Sequence, residues 1–248
     1  MLLEGEVPPQ NMHDAPSLRS VEVQDDVRRA FGWSEDEDLS SARAMQKALE
    51  YHVLWNPVAR LTVLHELRET LVQAKRVVII GAAVTKKEID TSRGDGVVYI
   101  AADGAVGAMD SYQKLACIVS DFDGANYLEK AAQSGQVIVA HAHGDNQQRW
   151  HEAIQSWSSA PTPPQLILSH QVNPVIDGMH NFGGFTDGDR ALCLALSLGV
   201  RRENINLIGF SIKNVGVWSG TTVAEQKMKK LQWMNDIVAE LGFGQWVQ

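Results

Sequence analysis

Two aspartates, Asp121 and Asp123, follow a short apolar run in the segment IVSDFDGA. In extended backbone, side chains two residues apart share a face. Two carboxylates held there repel unless a cation sits between them. Mg2+ takes oxygen ligands and is commonly held by one or two carboxylates plus substrate phosphates. The pair therefore reads as a Mg2+ site. Asp103, in IAADGA at the end of another apolar run, is a third candidate ligand. Gly104 beside it lets a backbone or a phosphate come close. One such aspartate alone reads equally well as a helix cap or an Asp-Gly turn. Their accumulation at the ends of apolar runs favours metal.

The segment NFGGFTDGDRAL adds a second kind of chemistry. Gly183 and Gly184 make a close-approach loop, and Thr186 is a helix N-cap with Asp189 three residues on. Backbone N–H groups, a helix N-terminus and Arg190 then converge, which suits an anion. Asp189 is assigned to capping and Asp187 to the site. In VIVAHAHGDN, residues His141, His143 and Asp145 alternate and so share one face. That pattern supplies ligands for a zinc or di-metal hydrolase. Next to a phosphate site it supplies phosphate contacts or a proton donor instead. His143 and Asp145 are the candidates for that work, while His141 reads equally as a buried, hydrogen-bonded histidine. Asp103, Gly104, Asn146, Gly184, Thr186 and Asp187 are the candidate nucleotide contacts. GAAVTKK, residues 81–87, lacks the glycines of a dinucleotide fingerprint or a P-loop, and its lysines, Lys86 and Lys87, read as solvent-facing.

These residues need a scaffold that brings them to one edge. RVVIIGA, GVVYIAAD, LACIVSD, QVIVAHAHGD, QLILSH and INLIGF are apolar on both parities, as in strands buried on both faces. Helical spacing fills the intervals at about 104–113, 124–134, 146–157 and 187–198, and again at 221–240. Strands alternating with helices predict an α/β, doubly wound, mostly parallel Rossmann-like sheet over residues 75–248. In such a sheet ligands sit beyond the carboxyl ends of the strands, where the polar clusters fall. Residues 1–74 read as a helical N-terminal region. One helix follows Ser40 and another starts near Pro57, while the acidic run SEDEDL at 34–39 reads as a solvated loop and cap.

The chain has 248 residues, a net charge of −8 and an ordinary globular balance of apolar and charged residues. The acidic surface argues against nucleic acid. The nearest basic cluster, Lys227, Lys229 and Lys230, reads as a solvated helix face. Cys117 and Cys193 sit in apolar runs, with no disulfide or metal spacing. MLLEGEVPPQ lacks the features of a signal peptide and no apolar stretch reaches membrane-spanning length, so the expectation is a cytoplasmic protein without a membrane partner.

Together, VVIIGAA, YIAADGA, IVSDFDG, VAHAHGDN and NFGGFTDGDRAL resemble the archaeal-type 6-hydroxymethyl-7,8-dihydropterin pyrophosphokinases, the MptE-like family, over roughly residues 75–212. A fainter likeness runs to thiamine pyrophosphokinases through Asp103-Gly104, Asp121-Phe122-Asp123 and Thr186-Asp187. The first loop departs from the pterin family's frequent Gly-x-Gly-Pro-Ser, reading Gly81-Ala82-Ala83-Val84-Thr85.

Both families transfer diphosphate from ATP and release AMP. The resemblance thus implies ATP and a reduced pterin as small-molecule substrates, with Mg2+ held by Asp121, Asp123 and Asp103. Arg190 and the 183–188 loop would neutralise the transferring group, and His143 or Asp145 would orient the acceptor or leaving phosphate. Phe122, Phe182, Phe185 and Trp150 are the aromatic candidates for a ring slot, each equally suited to the core. A homodimer fits such a fold. The rivals are a metallohydrolase built on His141, His143 and Asp145 with His170 or His180, and a nucleotide-binding protein without catalysis.

Overall fold

The computed structural model describes residues 15–220 and 223–248. The segment MLLEGEVPPQ and the expected start of the last helix at 221 lie outside them. All six expected strands form: β1 (Arg76–Ile80), β2 (Val97–Ala102), β3 (Leu115–Ser120), β4 (Val137–Ala142), β5 (Gln165–His170) and β6 (Ile205–Ile208). They make one sheet in the order β5-β4-β3-β2-β1-β6, and every pairing is parallel. The chain steps outward from β1 to β5, then returns to place β6 on the free side of β1. The reversal opens a crevice between the carboxyl ends of β1 and β6.

Among the described residues, eight α-helices cover the sheet. They are α1 (Leu18–Phe31), α2 (Glu35–Leu49), α3 (Pro57–Gln73), α4 (Lys86–Ser92), α5 (Ala125–Ala132), α6 (Gln147–Ser158), α7 (Asp187–Ser197) and α8 (Ala224–Glu240). Strand residues of one parity, among them Val77, Ile79, Ile100, Val119 and Leu207, share a core with α1, α3, α7 and α8. Those of the other parity, such as Ile118, Ile138, Leu166 and Leu168, pack with α2, α5 and α6. Helices lie on both faces, which makes the fold an α/β doubly wound one. The three N-terminal helices share these cores with the sheet.

Local chemistry explains the differences from the sequence expectation. The acidic run at 34–39 is no solvated loop: Ser34 is the N-cap of α2 and Glu35, Asp36, Glu37 and Asp38 fill its first turn, where carboxylates complement the helix dipole. Asp38 is buried. The connection expected as a helix over 104–113 is a short 3-10 turn, Asp103–Ala108, because Gly104 and Gly107 weaken a helix there. Val223, inside the span expected as the last helix, is its exposed N-cap.

Candidate functional site

The carboxyl ends of the strands deliver the acidic residues to one place. Asp103, Asp121 and Asp187 each present a carboxylate oxygen, and the three oxygens lie within 4.8 Å of one another. Asp103 Oδ2 and Asp121 Oδ1 are buried without a hydrogen-bond partner. Burial pushes Asp103 well above the usual carboxylate range, and the neighbouring Asp123 carboxyl adds to the shift. Burial, then the Asp121 charge, likewise raises Asp187. Burial works the same way on Asp121, but the hydrogen bond and charge of His143 overcome it and hold this carboxyl below its usual value. Buried, mutually repelling oxygens with unused lone pairs are what a divalent cation neutralises. The residues present therefore fit Mg2+. The closest triad has Asp187 where the sequence suggested Asp123; Asp123 stands beside Asp103 and lines the clefts on both sides.

The backbone under this cluster is strained. The described non-glycine residues with positive φ are Asp103 (46°), Phe122 (71°) and Ala125 (48°), all next to the carboxylates. Such conformations cost of order 1–3 kcal/mol each and gather at functional sites. Ser120 at the end of β3 stabilises the arrangement: its hydroxyl donates to Asp103 Oδ1 and accepts from the backbone N–H of Phe122.

Cationic groups face the acids. His143 sits between Asp121 Oδ2 at 3.3 Å and Asp145 Oδ1 at 2.6 Å. Burial opposes its charged form, but the hydrogen bonds to these two carboxylates prevail and raise it to about 9. Arg190, in the first turn of α7, lies 3.4 Å from Asp187 and donates to Gln171 Oε1 at 2.6 Å. Gln171 in turn donates to Asp38 Oδ2 at 2.8 Å, so α2 reaches the site through one amide. Asp189 caps α7 as expected, accepting from the Thr186 hydroxyl and backbone.

Two clefts meet at the acids. One lies at the β1/β6 reversal and is bounded by the loops after β1, β2 and β6. The other is lined by Trp33 and Phe185 together with Asp121, His143 and Arg190. Asp123, Thr186, Asp187 and Lys227 border both.

Other expected contacts fall elsewhere. Gly104 borders the first cleft, but a Cβ there would lie 2.3 Å from the Trp218 carbonyl, so the close approach is to protein backbone. Gly184 borders neither cleft; with φ of 81° it packs on Asp189 and Arg190. Asn146 is fully buried and braces its own loop, donating to the Asp121 and His141 carbonyls. Trp150, Phe122, Phe182 and Phe185 all belong to the cores, and of the four Phe185 also borders one of these two clefts. Lys227 and Lys230 are not a solvated face: both border the second cleft, and only Lys229 points outward, to Glu225. Their spacing was the available signal, since Lys227 and Lys230 precede Leu231 and Met234 by four residues, on the inner face of α8. Trp33 was missed because its segment lacks any motif.

His141 is committed to Ser169 and Gln171. Burial and the nearby Arg190 charge lower its affinity for a proton. Among the described residues, no histidine joins a group spaced to hold a metal. No described helix is long and apolar enough to cross a membrane.

No protein-family model and no solved structure matches the chain. Curated relatives do. A protein of Pyrococcus furiosus named 6-hydroxymethyl-7,8-dihydropterin pyrophosphokinase is 31% identical over 222 residues, covering 86% of this chain and 88% of the relative. One of the same name from Methanocaldococcus jannaschii is 28% identical, covering 86% and 90%. A third, from Methanothermobacter thermautotrophicus, is 40% identical over 105 residues, 42% of each chain. With similarity spanning most of both chains, this protein belongs to the 6-hydroxymethyl-7,8-dihydropterin pyrophosphokinase family.

Proposed function

We propose that this chain transfers diphosphate from ATP to 6-hydroxymethyl-7,8-dihydropterin and releases AMP, a step in the making of folate- or methanopterin-type coenzymes. The observation that carries the reading is the triad Asp103, Asp121 and Asp187, with two buried, unpartnered oxygens on Asp103 and Asp121, in a chain 31% identical to a named relative. The acceptor hydroxymethyl oxygen forms a bond to the β-phosphorus. The bond from that phosphorus to the bridging oxygen of the α-phosphate breaks, and AMP leaves with that oxygen. The hydroxyl proton passes to solvent.

Asp103, Asp121 and Asp187, with Asp123 adjacent, would hold Mg2+, which supplies charge neutralisation at the phosphate oxygens when bound. Arg190 is fixed from two sides, by Asp187 and Gln171. It presents a planar cation to the transferring group and has no rotamer search left to make. His143 is held protonated by Asp121 and Asp145, so it acts as a hydrogen-bond donor rather than a base. The crevice at the strand-order reversal suits the nucleotide. The second cleft, with an aromatic wall, suits the pterin. Catalysis in this reading is positioning and charge stabilisation.

The test is AMP release from ATP and Mg2+, with 6-hydroxymethyl-7,8-dihydropterin or thiamine as acceptor. AMP formed only with the pterin supports the reading. AMP formed only with thiamine keeps the reaction and overturns the acceptor. No AMP with either overturns the activity.

A further inference from the structure

Helix α8 brings one cation to the site in unusual surroundings. Lys230 is half-buried and borders the second cleft together with Asp121, His143 and Arg190. Its Nζ lies 5.1 Å above the Trp33 ring centre and 5.9 Å from that of Phe185. Trp33 and Phe185 are themselves 6.0 Å apart, and Phe31 stacks on Trp33 from behind at 4.7 Å. The aromatic faces hold the ammonium in place by charge–quadrupole attraction. They do not neutralise it. Among the described residues Lys230 forms no ion pair and no hydrogen bond, whereas Lys229, one residue earlier on the same helix, pairs with Glu225 at 3.0 Å.

A partly desolvated ammonium has three donors to satisfy, and leaving them unsatisfied is costly. Burial lowers the affinity of Lys230 for its proton, while the charges of Asp121 and Asp145 oppose that shift. A lysine needed only to cover apolar surface would snorkel its head to bulk water. This one keeps its head over two rings, beside a cleft lined also by Asp121 and Asp187 of the acidic triad.

We propose that Lys230 is a polyphosphate-binding residue, held on the Trp33–Phe185 surface so that its ammonium contacts oxygens of the transferring diphosphate. This rests on the diphosphate-transfer reading and extends it. The acids would hold the cation, and Arg190 with Lys230 would supply positive charge to the phosphates from the same cleft. The N-terminal helices join catalysis through Trp33, which immediately follows α1 and aims the lysine.

The test uses the full chain with inorganic tripolyphosphate and Mg2+ as the probe, followed by steady-state kinetics with ATP and the pterin. Lys230→Met keeps the hydrocarbon stem on the rings and removes the charge. It should weaken tripolyphosphate binding at least about tenfold, the loss expected for one charged hydrogen-bonding partner, and lower kcat/KM for ATP to match. Lys230→Arg should retain most of the affinity, and Lys229→Met should bind like the unaltered protein. Tripolyphosphate affinity of a folded Lys230→Met within twofold of the unaltered chain overturns the proposal. Should Lys230→Met fail to fold, Lys230→Gln carries the same comparison with the same two outcomes. If the unaltered chain makes no AMP with the pterin yet binds tripolyphosphate in a Lys230-dependent way, the activity reading falls and the anion site stands.

Discussion

Asp38 on α2 accepts a hydrogen bond from the backbone N–H of Gly144, 2.8 Å away in the loop after β4. The same carboxylate receives Arg28 from α1 at 3.2 Å and Gln171 from the end of β5 at 2.8 Å. One buried acid thus ties two N-terminal helices to two strand ends of the site. Gly144 can lie so close because a Cβ there would meet Glu37 at 2.9 Å.

Replacing Asp38 should therefore damage both stability and activity. Asp38→Ala leaves Arg28 buried with its carboxylate partner removed, and breaking a buried pair in this way costs roughly 3–5 kcal/mol. Arg28 keeps the Gln171 carbonyl and Asp25, so the lower end, about 3 kcal/mol, is expected. Denaturant unfolding measures it. A loss below about 1 kcal/mol would show that the helices are not coupled to the site through this residue.

The acidic triad predicts opposite effects with and without metal. Asp187→Asn removes one of three crowded carboxylates, so the metal-free protein should be no less stable than the unaltered chain. The unaltered chain should gain about 2.7 kcal/mol from Mg2+ at a hundred times its dissociation constant, and Asp187→Asn should lose most of that gain. Turnover should fall at least about a hundredfold, as when a preorganised charge partner of the reacting group is lost. Thermal melts with and without Mg2+, run beside an AMP assay, check both. Unchanged Mg2+ stabilisation in the variant would remove Asp187 from the ligand set.

Much of this was legible in the sequence, for physical reasons. Parallel strands buried on both faces must be apolar on both parities, so six runs announced six strands, and the topology rule then gathered their polar ends. Asp103 and Asp121 followed from that rule alone. What the sequence hid was long-range. Nothing local indicates that Asp38, within an acidic run, would be buried by partners 10 and 133 residues away. In the lysine triplet the signal is indirect: only the four-residue spacing to Leu231 and Met234 on the inner face of α8 separates Lys227 and Lys230 from Lys229. Gly184 and Asn146 were read as ligand contacts because close-approach glycines and buried amides serve backbone and ligand with the same chemistry.

The Gly104–Trp218 contact predicts a loop effect separable from the acids. A methyl at Gly104 would press on the Trp218 carbonyl at 2.3 Å, and Trp218 is anchored to the loop after β1 by its backbone N–H to Ala82 and its indole N–H to Val84. Gly104→Ala should displace that loop from the first cleft and raise KM for ATP several-fold, with KM for the acceptor little changed. Equal rises in both would overturn the assignment of this cleft to the nucleotide.

Gln171 offers the sharpest separation of positioning from binding. Its amide accepts from Arg190 and donates to Asp38, and it is buried. Gln171→Leu keeps the side-chain volume but removes both hydrogen bonds. Arg190 would retain Asp187 as a partner and remain in the site, with freedom to swing. Misplacing a charged group by about an ångström costs on the order of a hundredfold in rate, so kcat should fall while KM for ATP changes by less than about threefold. The Arg190→Ala variant, in contrast, should raise KM and lower kcat together, because it removes the contact itself. The double variant Gln171→Leu/Arg190→Ala should be no worse than Arg190→Ala alone if Gln171 acts through the arginine. An additive loss would mean that Gln171 works by another route, with His141, its remaining neighbour at 3.3 Å, as the residue to test next.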